Sequence, residues 1–184
     1  MISAKSIGVA LFAAALGLPL IGCNESGVVA LPQPLEPTAT SVAYFCSMNL
    51  LEHAGPRGQA FLKSKAEPVW FSSVRDTFAF IILPEEPKDV AAIYVNDFAK
   101  AKDWKNPEAG TWVEIHSAWF VLGSDYRAGM GEVEIVPFSN RDAAQTFAAA
   151  HNGRVVPFAG VKDDDVLLAD NATGSTGQSG TRDQ

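Results

Sequence analysis

The 184-residue chain carries 21 acidic against 14 basic side chains, a formal net charge of −7, and only two cysteines. So acidic a surface repels phosphate backbones, which sets nucleic acid aside as a partner, and two cysteines allow one disulfide at most. The sequence has no glycine-rich phosphate loop, G-x-S-x-G elbow or H-E-x-x-H pattern, and no local signature pairs Cys46 with a histidine base, so the expectation is a protein that is not an enzyme.

At the N-terminus, Lys5 precedes a run of apolar and small residues, Ile7 to Leu20, too short for a comfortable membrane span. Leu20-Ile21-Gly22-Cys23 follows directly. Residues 1–22 therefore have the layout of an export signal, and the tetrad resembles a bacterial lipobox. That resemblance implies that Cys23 becomes the acylated first residue of the mature chain, holding the domain to a membrane while it stays in water. The other reading is an ordinary signal peptide with an incidental cysteine. Asn24 is not the aspartate linked to inner-membrane retention, so both membranes remain open. With Cys23 acylated, Cys46 has no intramolecular partner in an oxidising compartment. A bound metal would occupy such a lone thiol.

Residues 23–40, with Pro32, Pro34 and Pro37 and no hydrophobic period, read as a tether. Strands are expected at Val42 to Leu50, Gln59 to Lys63, Val69 to Phe71, Ala91 to Val95, Trp112 to Leu122, Glu132 to Val136 and Arg154 to Phe158. Helices are expected at Val74 to Leu83 and Arg141 to His151. A weak internal echo supports both helices: Phe71-Ser72-Ser73 leads into Arg75-Asp76, and Phe138-Ser139-Asn140 leads into Arg141-Asp142, each a cap before an apolar run. The fold class is α+β: two similar ββαβ-type halves, 41–104 and 105–162, with antiparallel sheets and one helix each. Residues 163–184, opening on Asp163-Asp164-Asp165 and rich in Gly, Ser and Thr, read as a disordered tail whose acidic run is a solvated charge cluster.

The expected chemistry centres on Tyr44-Phe45-Cys46-Ser47-Met48. In an extended segment a thiol and a thioether at i and i+2 share a face, and soft sulfur donors select cuprous copper over hard cations. If that face is simply the core side of a strand, both sulfurs are packing groups instead. After signal removal, Met130 is the one other methionine, and Gly129 and Gly131 flank it. A thioether on such a loop is free to close a metal site. His53, before the turn Ala54-Gly55-Pro56, is a further candidate ligand and equally reads as a solvated loop histidine. His116, on the polar face of its strand with Glu114, and His151, at a helix C-terminus, have weaker claims.

Taken together, the lipobox, Cys46-Ser47-Met48, His53, Gly55-Pro56, Ile93-Tyr94-Val95-Asn96-Asp97, Gly129-Met130-Gly131 and Val136-Pro137-Phe138-Ser139 resemble the NosL family, accessory lipoproteins of nitrous oxide reductase. The resemblance covers most of residues 40 to 160. It implies a periplasmic chaperone that binds one Cu(I) ion and delivers it toward the copper centres of nitrous oxide reductase, working with a membrane ABC-type maturation complex. By matching motif, Cys46 and Met48 carry over as ligands and Met130 as the third, with His53 as competitor or neighbour. The tail after Lys162 falls outside the pattern. Alternatives are a structural or interaction lipoprotein with Cys46 and Met48 in its core, a more general copper-handling lipoprotein, and a redox enzyme using a lone reactive thiol.

Overall fold

A computed structural model describes residues 30–167. The signal, Cys23 and the stretch from 168 onward lie outside the described residues. The first half runs β1 (Gly58–Leu62), β2 (Val69–Phe71), α1 (Val74–Ile82) and β3 (Val90–Asn96). The second runs β5 (Trp119–Leu122), β6 (Val136–Phe138), α2 (Arg141–Ala150) and β7 (Arg154–Pro157). In each half the first strand is central and antiparallel to both others, giving the orders β2-β1-β3 and β6-β5-β7. The expected ββαβ duplication is thus present. One further strand, β4 (Trp112–Glu114), pairs with β3 and extends the first sheet to four strands. Among the described residues, no helix is long and apolar enough to cross a membrane.

Both helices begin where a capping side chain precedes them. Ser73 accepts from the Asp76 amide, and Asn140 accepts from the amides of Asp142 and Ala143. Each cap satisfies donors that the first helical turn leaves unpaired. Helix α1 is apolar around most of its circumference because it is buried on several sides, with Val74, Phe78 and Phe80 all in the main core.

Strand alternation then divides the interior. Phe120 and Leu122 of β5 join Phe71, Phe78, Ile93 and Val95 in a core shared by the two halves. On the opposite face of the same strand, Val121 meets Phe138, Ala144 and Phe147 under α2. The outer face of the first sheet carries Phe61, Tyr94 and Trp112. The tether covers part of this face. The Gln59 amide exchanges two 2.9 Å hydrogen bonds with the backbone of Leu35, Tyr94 Oη donates to the Pro32 carbonyl, and Trp112 Nε1 donates to Glu36. Gln59 can sit fully buried in a strand because its side chain pairs with Leu35 as a peptide group would. From Pro32 to Glu36 the proline-rich segment is therefore a docked strap.

Four expectations about elements need correction. Val42 to Leu50 is not a strand. Ser47 takes the left-handed conformation (φ 57°), and the Ala43 amide bonds to the Met48 carbonyl while the Ser47 amide bonds to the Ala43 carbonyl, so the chain reverses on itself. Trp112 to Leu122 is two strands in two sheets. Glu114 accepts from the His116 amide and turns the chain through a 3-10 segment, Ile115–Ser117, which leads from β4 in the first sheet to β5 in the second. His116 thus lies in a turn, and Val113 and Ile115 pack in the shared core. Strand β6 begins at Val136, beyond most of the expected Glu132 to Val136. Finally, Asp163–Leu167 forms a short helix, α3, which buries Val166 and offers the carbonyls of Asp165 and Val166 to Arg75 Nη1. Within the acidic run, Asp165 pairs with Arg154.

Candidate metal centre

The loop that carries Cys46 is closed at its base. Val42 bridges to Asn49, and the Leu50 amide bonds to the Ser41 carbonyl at 2.9 Å, with Leu50 fully buried. Asn49 caps the 3-10 turn Leu50–Glu52 and holds the Ala39 carbonyl with its side-chain amide. The tip is fastened at one side. The Tyr44 amide reaches the Trp70 carbonyl on β2, and the Tyr44 ring lies edge-on to Phe71 and Phe80. These contacts leave Cys46 half-buried at the tip.

The 3-10 turn then brings His53 back beneath the thiol. His53 is 6 % exposed, and its Nε2 stands 3.7 Å from Cys46 Sγ. His53 is therefore a buried neighbour of the thiol, which favours its candidacy as a ligand over the reading of a solvated loop residue. Met48 is 39 % exposed, two residues from Cys46 on the same tip. A core role for this thioether is excluded by that exposure. Met130, at 54 % exposure, sits on the 127–131 loop.

That loop is docked on the His53 segment. The Gly129 amide donates to the Ala54 carbonyl at 2.8 Å, so Met130 follows directly on a bond made to the residue after His53. Glycine is required here: a Cβ on residue 129 would stand 2.7 Å from the Ala54 nitrogen. Gly55 donates in turn to the Lys105 carbonyl at 2.8 Å and adopts φ 113°, a conformation that excludes most side chains. Three loops, 53–57, 104–106 and 126–131, thus meet at one end of the first sheet. Tyr126 Oη donates to the Trp104 carbonyl and ties the second loop to the third.

His116 and His151 belong elsewhere. His116 Nδ1 lies 2.6 Å from Glu114 and its ring packs on Phe158, while His151 Nδ1 lies 2.7 Å from Asp125 and stacks on Phe147. Among the described residues, no three His, Cys, Asp or Glu side chains converge as a metal cluster. The soft donors at this end are the Cys46 thiol, the His53 imidazole 3.7 Å from it and the exposed Met48 thioether on the same tip, with Met130 on the loop bonded to Ala54. That set suits a soft monovalent ion and is poor in the oxygens a hard cation needs.

Residue-type reasoning did not pick out Arg57. It is 4 % exposed, and its Nη2 donates to the His53 carbonyl at 2.9 Å and faces Asn106 Oδ1 at 3.4 Å. Its backbone exchanges hydrogen bonds with Asn96, whose own amide reaches Thr111. The available signal was a charged residue in Gly55-Pro56-Arg57-Gly58, running directly into a strand that is buried throughout.

The NosL family model matches residues 34–166, so the matched region takes in most of α3 as well as the two halves. The chain is 42% identical over 158 residues to the copper-binding lipoprotein NosL of Achromobacter cycloclastes, covering 85% of this chain and 81% of that one. It is 30% identical over 166 residues to the copper-binding lipoprotein NosL of Stutzerimonas stutzeri, covering 89% and 83%. Its fold matches the crystal structure of the copper chaperone NosL from Shewanella denitrificans with a TM-score of 0.67 at 29% identity, over 71% of this chain and 96% of that one. With a duplicated ββαβ fold, a thiol–imidazole pair at one end and a family match across both halves, the chain belongs to the NosL family.

Proposed function

We propose that this chain is a membrane-anchored carrier of cuprous copper, working on the periplasmic side of a bacterial membrane and handing its ion on for assembly of the copper centres of nitrous oxide reductase. The observation that carries the reading is the 3.7 Å approach of Cys46 Sγ to His53 Nε2, with Met48 exposed on the same tip and the Met130 loop bonded to Ala54. The relatives are named as copper-binding lipoproteins and a copper chaperone, not as enzymes. Cys46, as thiolate, and Met48 are the primary ligands, and His53 and Met130 are the candidates that complete the site. Cys23 is the anchor.

The arrangement suits transfer. Cys46 and His53 are held by packing, whereas both thioethers face solvent, so an incoming ligand can replace a thioether without unfolding the site. Holding the carrier at a membrane raises its effective concentration near a membrane-bound receiver, such as an ABC-type maturation complex. Anaerobic Cu(I) titration against a chromophoric chelator is expected to show about one tight site per chain, abolished by Cys46→Ala. Unchanged tight binding in that variant would rule the assignment out.

A further inference from the structure

Arg57 is a long cation that is 4 % exposed. Burial lowers its pKa, and among the described residues no carboxylate forms an ion pair with it and its Nε has no hydrogen-bond partner. A buried guanidinium without an ion-pair partner is expensive, and the hydrogen bonds its donors make have to offset that cost. Here the contact at 2.9 Å is the carbonyl of His53 itself, the residue whose ring faces Cys46. The second, longer contact is Asn106, on the loop that also receives the Gly55 amide.

Other backbone ties in this segment stop short of His53. Ala54 is held by Gly129, Gly55 by Lys105 and Arg57 by Asn96. His53 has only a long 3.3 Å amide bond to the Leu50 carbonyl on its own turn, and on the other side its carbonyl depends on Arg57. The guanidinium thus holds the carbonyl of the peptide that follows His53, one of the two peptide planes that orient the imidazole on the backbone.

We propose that Arg57 is a positioning residue of the metal centre, clamping the His53 carbonyl so that the imidazole meets the ion held by Cys46. This rests on the reading of Cys46 and His53 as the copper end of the molecule. Partners that orient a metal ligand from behind typically carry a 10–100-fold share of metal affinity.

The test is a double-mutant cycle on Cu(I) affinity in the folded, copper-free protein, with chelator competition as the readout. Arg57→Met is expected to weaken binding by about 10–100-fold, and His53→Ala by at least as much. The double variant should bind no more weakly than His53→Ala alone, because the clamp has nothing left to position. An equal loss from Arg57→Met with and without His53 would overturn the proposal, as would unchanged affinity in Arg57→Met. A purely structural Arg57 would lower the melting temperature without this dependence on His53. Should the methionine variant fail to fold, Arg57→Lys, which keeps a donor but not the planar fork, takes its place in the cycle with the same expected dependence. Cys46→Ala reports separately on the underlying reading: if that variant still binds tightly, the site itself has been misplaced.

Discussion

The Gly129 amide and the Ala54 carbonyl form a 2.8 Å hydrogen bond that joins the Met130 loop of the second half to the residue after His53 in the first. Neither loop belongs to a sheet at this point, so the bond is a local latch. A side chain at 129 would press on the Ala54 backbone at 2.7 and 2.9 Å, and backbone cannot swing aside as a flexible side chain can. Gly129→Ala is therefore expected to open the latch, at about 1–3 kcal/mol of stability, and to weaken Cu(I) binding if Met130 is a ligand. Comparing chelator competition in Gly129→Ala with that in Met130→Ala checks this. Full wild-type affinity in both would remove Met130 from the site.

The strap makes a second, independent claim. Gln59 uses both ends of its amide on Leu35, so Gln59→Ala leaves a backbone donor and acceptor without those partners. Each such bond is worth about 0.5–1.5 kcal/mol, a loss which urea unfolding would report. Amide exchange at Leu35 should accelerate in the same variant while copper affinity stays unchanged, since the strap's bonds are to the outer face of the sheet. Slow exchange at Leu35 in the variant would mean that something else holds the segment down.

The duplicated fold was legible because each half announces its helix with a cap and an Arg-Asp pair, and because β2 is written as a short apolar run. The Cys46 tip was not. Tyr44, Cys46, Met48 and Leu50 alternate as a strand would, but Ser47 takes a left-handed turn that residue type alone does not announce. The pairing of Cys46 with Met48 therefore came from the wrong geometry, that of one strand face, although both residues do occupy one tip. His53 was under-weighted for a related reason: its burial depends on a 3-10 turn set by Asn49 and Leu50. Arg57 could not be found from periodicity, because its partners are a carbonyl four residues back and an asparagine 49 positions on.

Helix α3 turns an expectation about the tail into a measurable contrast. Chains ending at Lys162 lose buried Val166 together with two carbonyl partners of Arg75. Full burial of a valine is worth roughly 1.5–3 kcal/mol, so this truncation should lower the denaturation midpoint clearly. A chain ending at Leu167 keeps α3 and is the reference for that comparison. Equal midpoints for the two truncations would show that α3 adds nothing to the fold.

Glu134 gives the fold a pH dependence of unusual sign for a carboxylate. It is 1 % exposed, and desolvation by burial outweighs the amides of Ile135 and Arg75 and the charge of Arg75, pushing its pKa up to about 8. Among the described residues its Oε2 has no hydrogen-bond partner, so the ionised form has little to hold it. In the unfolded chain a glutamate titrates near its usual value of about 4.3. Between these two values the folded state binds more protons than the unfolded one, so this residue's contribution is fully present below the unfolded pKa and is lost as the pH rises to about 8. Glu134→Gln keeps an oxygen for the Ile135 and Arg75 amides without the charge. The variant is expected to show a flatter stability profile between pH 5 and pH 8, and to exceed the wild type at the alkaline end. Chemical denaturation at several pH values measures both slopes, and parallel profiles for the two proteins would mean that Glu134 is ionised in the fold.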